Sequence, residues 1–447
     1  MRPPIESASF WLATRRDHNP HPRLEGNREA DIAIIGAGFT GLWTAHFLRQ
    51  LEPKHEIVVL EQGVAGYGGS GRNGGIVSAS IDHSHALAIA HFGRTEAERL
   101  ARLGLQNVNE LAVFASDCDF ERTGQLLVAL TPTQVDECRH SVAIACDLGL
   151  EGHRFLSVDE MCAEINSPLY RGASFAPGGG VIDPIKLVDK LTRGVRLFER
   201  TKVRGAGGGV VQVEGGTVTA RKVVLATNAY SHLLFPQLAR RFIPLYDYIL
   251  VSEPLTEAQR LAIGWRNRQG VTDGRTFFNY YRLTADGRIL WGTSEAMYYP
   301  PNRVDESCDH SEPHYAMLRE SFRRHFPQLA DLAFPFAWGG PIASTTRLTP
   351  FFGSLKRGRV LYGLGYTGHG IGSTRIAGKI LAHMALARSH ELRDLAMVQR
   401  QPFPYPPEPL RRLAVNTVTN ALRRVDAGRK PSMLLRVLDA LGIGFSS

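Results

Sequence analysis

Residues Asp31–Gly41 read DIAIIGAGFTG. Ile32, Ala33, Ile34 and Ile35 form a short apolar run, the mark of a strand buried on both faces. Gly36, Gly38 and Gly41 follow at GxGxxG spacing, and residues 42–48 continue as a helix with little charge. In such a unit the first glycine turns the chain off the strand. The second lets the backbone approach a pyrophosphate, and the third lets helix pack on strand. The helix N-terminus adds free N–H groups and partial positive charge. Working outward, Ile57–Leu60 (IVVL) is a second buried strand ending at Glu61, 20 residues beyond Gly41. A carboxylate there can accept the hydroxyl protons of an adenosine ribose. With 45 glycines in the chain, the spacing alone could be a plain βαβ turn. Strand, glycines, helix and acid together predict a dinucleotide-binding βαβ unit.

Two further glycine runs extend the pattern. Gly63–Gly75 (GVAGYGGSGRNGG) holds seven glycines, too flexible for a strand or helix and too long for a turn. Its use is close backbone approach to a large flat ligand, and Arg72 and Asn73 sit inside it. Gly365–Gly372 (GYTGHGIG) lies between a strand, Val360–Leu364, and a helix, Ser373–Ala387. A single nucleotide needs one such turn; three suggest an extended ligand, as an adenine dinucleotide carrying a flavin would be. Gly368, His369 and Gly370 then fall at a helix N-terminus. N–H donors and a positive dipole end there would face an oxygen that gains negative charge, such as the N1/C2=O side of a reduced flavin. The other reading of His369 is a satisfied structural histidine.

At 447 residues the chain predicts about two or three domains. Hydrophobic content of 43% and charged content of 21% are those of a globular protein. No apolar stretch approaches a bilayer span, and the N-terminal MRPPIESASFW lacks the apolar region of a secretory signal. Cys118, Cys138, Cys146, Cys162 and Cys308 are scattered without CxxC spacing, which argues against a metal site and a disulfide framework. A reducing, cytoplasmic location is the expectation. The net charge of +9 is dispersed, without a run of five basic residues. With no recognised module beside it, the charge argues against nucleic acid; a dinucleotide and an anionic substrate would suit a positive field.

Along the rest of the chain, residues 1–30 read as an arm that packs on the main body through Phe10 and Trp11. Residues 86–118 show helical spacing. Gly124–Leu130 reads as a strand, Thr133–Leu148 and Val158–Ile165 as helices, and Ile185–Phe198 as a helix. Val210–Val213 and Thr217–Ala220 form a hairpin, and Lys222–Thr227 a buried strand. A second region begins near Leu233. There Tyr248–Ser252, Thr276–Leu283 and Arg288–Gly292 read as strands, the last two joined at Asp286-Gly287, and Glu312–Phe326 as a helix. Pro402–Pro409 is a rigid connector. The tail Leu410–Leu441, with a lone Phe445 beyond it, reads as an amphipathic helical stretch packing on the body or a partner.

These residues carry a resemblance. DIAIIGAGFTGL, GYGGSGRNGG, VVLATNAY at 223–230, NYYRLTADGRILWGT at 279–293, WGGPIASTTRLTPFFG at 338–353 and GYTGHGIGSTRIAGKILA at 365–382 are similar to the D-amino-acid oxidase (DAO) superfamily of FAD-dependent oxidoreductases. The nearest branch is that of the gamma-glutamylputrescine oxidoreductases. The resemblance implies an α/β fold (α+β overall): a discontinuous Rossmann-like FAD-binding domain of glutathione-reductase type with a mixed or antiparallel-sheet substrate domain. It places FAD-binding segments at 1–100, 175–232 and 336–396, substrate-domain segments at 101–174 and 233–335, and a C-terminal helical extension at 397–447. It implies FAD contacts at Gly36, Gly38, Phe39, Thr40, Gly41, Glu61, Gln62, Gly69, Ser70, Arg72, Asn73, Gly74, Val203, Ala226, Thr227, Gly340, Gly365, Gly368, His369, Gly370 and Ile371.

The implied reaction is oxidation of a C–N bond: a small-molecule amine loses hydride to flavin N5, the imine hydrolyses, and O₂ or an electron carrier takes the electrons. No cysteine follows Cys308 and the GRNGG segment has no histidine, so FAD is expected to be non-covalent. For substrate contact the candidates are His369, Arg282, Arg347, Tyr280 and Tyr248. Strand alternation puts Tyr280 and Arg282 on one sheet face and Tyr281 on the other. An arginine there could grip an anionic group by a bidentate pair or form a structural salt bridge. Trp338 reads as core packing or a cavity wall. The alternatives are a flavin monooxygenase or pyridine-nucleotide reductase, for which no second GxGxxG unit or redox CxxC is visible, and a non-catalytic flavoprotein subunit.

Overall fold

The computed structural model describes residues 8–16, 18–440, 442 and 443; Leu441 and Phe445 of the expected tail lie outside them. The chain divides into two compact units. The first is Met1–Asn73, Asp183–Pro244 and Pro341–Pro407; the second is Gly74–Ile182, Leu245–Gly340 and Glu408–Ser447.

The first unit is built on a sheet whose strands run in the order Phe351–Leu355, Val360–Leu364, Gly216–Leu225, Gly26–Ile35, Ile57–Leu60 and Arg196–Phe198. Gly26–Ile35 pairs in parallel with both Gly216–Leu225 and Ile57–Leu60. Parallel pairing continues outward to Val360–Leu364 on one side and Arg196–Phe198 on the other. Strands buried on both faces need apolar residues at every position, and Ile57–Leu60 and Val360–Leu364 are buried throughout. The helices Phe39–Leu51 and Gly370–Ala385 pack against each other. At Gly378 a Cβ would lie 2.5 Å from Trp43 Cβ, so a small residue is needed for the approach. The arm is a short helix, Phe10–Ala13, whose Phe10, Trp11 and Leu12 are buried.

The second unit carries an eight-stranded sheet in the order Phe336–Ser344, Ile243–Pro254, Arg288–Tyr298, Asn279–Leu283, Gly270–Asp273, Gln125–Val128, Ala173–Ala176 and Arg154–Leu156. From Ile243–Pro254 to Arg154–Leu156 its pairing is antiparallel except between Gly270–Asp273 and Gln125–Val128. Helix Glu312–His325 covers one face, where Trp291 stacks on Tyr281 at 4.3 Å and meets Phe322 edge-on at 5.4 Å.

Several elements differ from the sequence expectation. The helix expected over Ile185–Phe198 ends at Thr192. Gly194 takes φ +70°, and Arg196–Phe198 leaves as a strand beside Ile57–Leu60; three residues carry too little period to distinguish strand from helix. The strands expected at Thr217–Ala220 and Lys222–Thr227 are one strand, Gly216–Leu225, because exposed Arg221 interrupts the apolar pattern while the register with Gly26–Ile35 is the same on both sides of it. The expected helix 86–118 is two, His85–Phe92 and Arg94–Phe114, separated at Gly93 (φ +83°).

The unit boundaries also move. The chain leaves the first unit after Asn73, not at residue 100, which lies inside helix Arg94–Phe114. The expected extension 397–447 is divided. Residues up to Pro407 belong to the first unit, where Arg347 holds the carbonyls of Met397 and Arg400 and Thr346 that of Phe403. Residues from Glu408 belong to the second, where Asp426 accepts the amides of Thr276 and Phe277.

Candidate functional site

Because five neighbouring strands of the first unit are parallel, their carboxyl ends share one edge. Ile35 stands beside Leu60 and Leu225, and Leu225 beside Tyr362. All three glycine turns leave from this edge, at Gly36, Glu61 and Gly365. Ligands of open parallel sheets bind at such an edge, where the strand order reverses.

The first turn is closed by backbone. Gly36 has φ +102°, and a Cβ on it would come 2.9 Å from the carbonyl oxygen of Ala226. A Cβ on Gly41 would overlap the carbonyl of Gly36. The helix opens at Phe39, with Gly38 as its N-cap, and its first internal bond runs from Leu42 N–H to Gly38 O. The N–H groups ahead of Leu42 have no intrahelical acceptor. Ser70 Oγ takes that of Phe39 at 2.8 Å, and a Gly38 Cβ would come 3.0 Å from the same Oγ. Glu61 accepts the amides of Ala37 at 2.9 Å and Gly63 at 2.8 Å. Burial pushes its carboxyl up from the usual range, and the Gly63 and Ala37 amides oppose that. A carboxylate with two acceptor sites per oxygen keeps capacity for hydroxyl donors.

The second run folds back on itself. Arg72 is buried, donates to Tyr67 O at 2.9 Å and lies over the Tyr67 ring. Asn73 donates to the carbonyls of Gly69 and Ser70. Trp11 Nε1 donates to Asn73 O, and Ser9 Oγ to Gly71 O, so the arm clamps this run. Glu199, fully buried, accepts the amides of Ala65 and His21.

The third turn is joined to the first turn's helix and to the end of the central strand. Gly365 has φ +84°, and its N–H donates to Asn228 Oδ1 at 3.0 Å. Thr40 Oγ1 donates to the Tyr366 hydroxyl at 3.0 Å. His369 is the N-cap of helix Gly370–Ala385, and its ring Nδ1 lies 3.4 Å from Thr367 O. Ala226 and Thr227 follow the central strand, and Val203 starts the strand Val203–Gly207 within the sheet core. Gln62 and Gly69 are exposed. Gly74 and Gly340 belong to the second unit.

Sequence reasoning passed over Asn228, Tyr366 and Glu199. Asn228 had a signal: an asparagine directly after a buried strand, the residue type that tolerates its φ of +39°.

The three substrate candidates of the second unit do not share one face of its sheet. Register sets Tyr280 beside Gly292 and Ile249, and Arg282 beside Leu290 and Val251, on one face of the second sheet. Tyr248, beside Thr293 and then Asn279, is on the other. It is fully buried, bonds Tyr299 Oη and Cys308 O, and stacks on His314 at 4.5 Å. Arg282 is 1% exposed; Nη1 donates to the carbonyls of Gly75 and Ile182 at 2.7 Å, and Nε to Leu283 O. Arg347, in the first unit, donates to Arg400, Pro350 and Met397 carbonyls. Burial and Arg400 lower its guanidinium to about 10. Trp338 is a core residue. Tyr280 donates from Oη to Asp247 Oδ2 at 2.5 Å.

A parallel-sheet edge with three glycine turns and a carboxylate beyond the second strand defines a dinucleotide-binding flavoprotein fold. Residues 31–384 match the family described as "DAO: FAD dependent oxidoreductase", and the chain belongs to that family. It is 28% identical over 411 residues to gamma-glutamylputrescine oxidoreductase of Escherichia coli (strain K12), covering 89% of this chain and 93% of that one. It is 30% identical over 419 residues to "Probable oxidoreductase OrdL" of Rhizobium meliloti (strain 1021), covering 90% and 94%. In fold it is similar to the crystal structure of glycine oxidase from Geobacillus kaustophilus, with TM-score 0.69, 18% identity and coverage of 83% and 99%.

The residues present fit FAD. The glycines divide into those closed by backbone, Gly36 and Gly41, and those with room beside them. A Cβ on Gly368 would meet nothing within 4 Å, and on Gly69 and Gly370 only atoms at 3.9–4.0 Å. Among the described residues no group of three or more His, Cys, Asp or Glu is placed to hold a metal. No helix among them is long and apolar enough to cross a membrane.

Proposed function

We propose that this protein oxidises the C–N bond of a primary or secondary amine that carries an anionic group, an amino acid or a γ-glutamylated amine. FAD, held without a covalent link, supplies the acceptor for the hydride on the carbon next to nitrogen. The observation that carries the reading is the shared edge: three glycine turns, Glu61 and a helix N-terminus gathered on one unit. The choice of amine rests on relatives whose names refer to gamma-glutamylputrescine and to glycine. No cysteine follows Cys308 and the GRNGG segment holds no histidine, which supports non-covalent FAD.

In this reading the Gly38 turn and first helical N–H groups bind the pyrophosphate, and Glu61 receives the ribose hydroxyls. The N-terminus of Gly370–Ala385 stabilises negative charge at its mouth. Arg282 and Arg347 hold backbone rather than substrate.

The test is anaerobic flavin reduction by a panel of glycine, L-proline, γ-glutamylputrescine, 4-methylaminobutanoate and the uncharged amines butylamine and N-methylbutylamine. Rapid bleaching by one or more anionic members, and slow bleaching by the uncharged ones, is expected. A flavin that none of them reduces would count against C–N oxidation.

A further inference from the structure

The run Gly63–Gly75 holds seven glycines, and glycine loses more conformational freedom on ordering than any other residue. Up to Asn73 its backbone is nevertheless pinned at closely spaced points. A Cβ on Gly71 would come 2.6 Å from the carbonyl oxygen of Gly66 and 2.8 Å from Ile185 Cδ1, so the run folds tightly on itself over helix Pro184–Thr192. Asn73 Nδ2 donates to the carbonyls of Gly69 and Ser70 at 2.9 and 2.8 Å, and Arg72 Nε to that of Tyr67. Ser70, so placed, takes the Phe39 N–H at the opening of the first turn's helix.

Three more carbonyls of the run are held by the arm, from 50 to 62 residues away along the chain. Ser9 Oγ donates to Gly71 O at 2.5 Å, Trp11 Nε1 to Asn73 O at 2.8 Å and Arg15 Nη1 to Ala65 O at 3.3 Å. Arg15 also pairs with Asp189 on helix Pro184–Thr192, so the arm crosses the run and is anchored beyond it. All of these groups belong to the first unit. The arm's own helix, Phe10–Ala13, is four residues long, too short to stand alone in water. Its order comes from docking, with Ser9, Phe10, Trp11 and Leu12 all buried. Such an element opens locally, without unfolding of the unit that it rests on.

We propose that the arm is a strap on the cofactor site: docked, it holds the second glycine run in the form that retains FAD, and FAD is released when the arm lifts. This rests on the reading above that the shared strand edge holds FAD. The first and third turns are set by strand ends and helices of the sheet. The second is the part of that edge whose form depends on donors from a detachable segment. Ser9 and Trp11 are positioning residues that act through the carbonyls of Gly71 and Asn73. The coupling is reciprocal: whatever factor the docked arm adds to FAD affinity, bound FAD adds to the docking of the arm.

Two measurements on the full-length chain test this, and neither needs turnover. The first is the rate of FAD release after dilution, followed by the fluorescence of free FAD well below the melting temperature. Ser9→Ala and Trp11→Phe each remove one donor and keep most of the side chain's bulk. Each is expected to speed release by about tenfold, and the two together by about a hundredfold. The second is hydrogen exchange at the arm amides of Leu12, Ala13 and Thr14, which are bonded to Ser9 Oγ, Ser9 O and Phe10 O. In wild type they are expected to exchange at least about tenfold more slowly with FAD bound than after FAD has been stripped. A merely structural arm would lower the melting temperature of the FAD-free double variant and leave the release rate of the loaded one at the wild-type value. That result, or arm exchange that FAD does not slow, overturns the strap while leaving the FAD site standing. If the double variant does not fold, the exchange measurement on wild type decides alone. A wild-type chain that takes up no FAD overturns the site and the strap with it.

Discussion

Arg282 and Arg347 show how a residue's chemistry depends on what its neighbours leave it. In the sequence each is an arginine among aromatic or turn residues in a basic chain, a plausible grip for an anion. In the fold their donors meet carbonyl oxygens: Gly75, Ile182 and Leu283 for the first, Met397, Arg400 and Pro350 for the second. Hydrogen bonds to a charged donor contribute about 1.5–3 kcal/mol each, and a carbonyl left buried without its donor costs about 1–3 kcal/mol. Arg282→Met should therefore lower unfolding free energy by roughly 2–4 kcal/mol in urea titration, with equal effects on anionic and uncharged amines. A tenfold loss of affinity confined to anionic amines, with stability unchanged, would restore the substrate role. The glycines were more legible than the arginines. GxGxxG spacing encodes backbone geometry, which local sequence dictates, as at Gly36 with φ +102°. An arginine's partners come from segments 100 and 207 residues away along the chain.

At the scale of elements, long periodic stretches and fully apolar strands were readable, and short ones were not. Val360–Leu364 has the bounds that its sequence implies, whereas Arg196–Phe198 is a strand only because Ile57–Leu60 offers a free edge. The helix Gly370–Ala385 carries the element-scale prediction. Its N-cap His369 has no side-chain capping bond, and the N-terminal turn presents partial positive charge. His369→Ala should slow flavin reduction while leaving FAD affinity within about threefold, since the capping energy at risk is small. A stopped-flow trace like wild type, combined with poorer folding yield, would make His369 purely structural.

At the scale of the whole molecule, each unit is assembled from three stretches of chain, and the two share no cysteines: all five lie in the second. The family resemblance conveyed this alternation, but composition could not fix where the chain crosses. The first crossing falls at Asn73, inside the glycine run, where Trp11 and Ser9 of the arm hold the backbone. The tail divides at Pro407 because Arg347 and Thr346 hold one part of it, and Asp426 and Arg423 anchor the other.

The central claim is that the shared strand edge of the first unit holds FAD without a covalent bond. Purified protein should be yellow and, after heat or acid denaturation and centrifugation, release about one FAD per chain into the supernatant. Flavin that stays with the pellet would contradict non-covalent binding, and a colourless protein that takes up no FAD on addition would contradict the site itself.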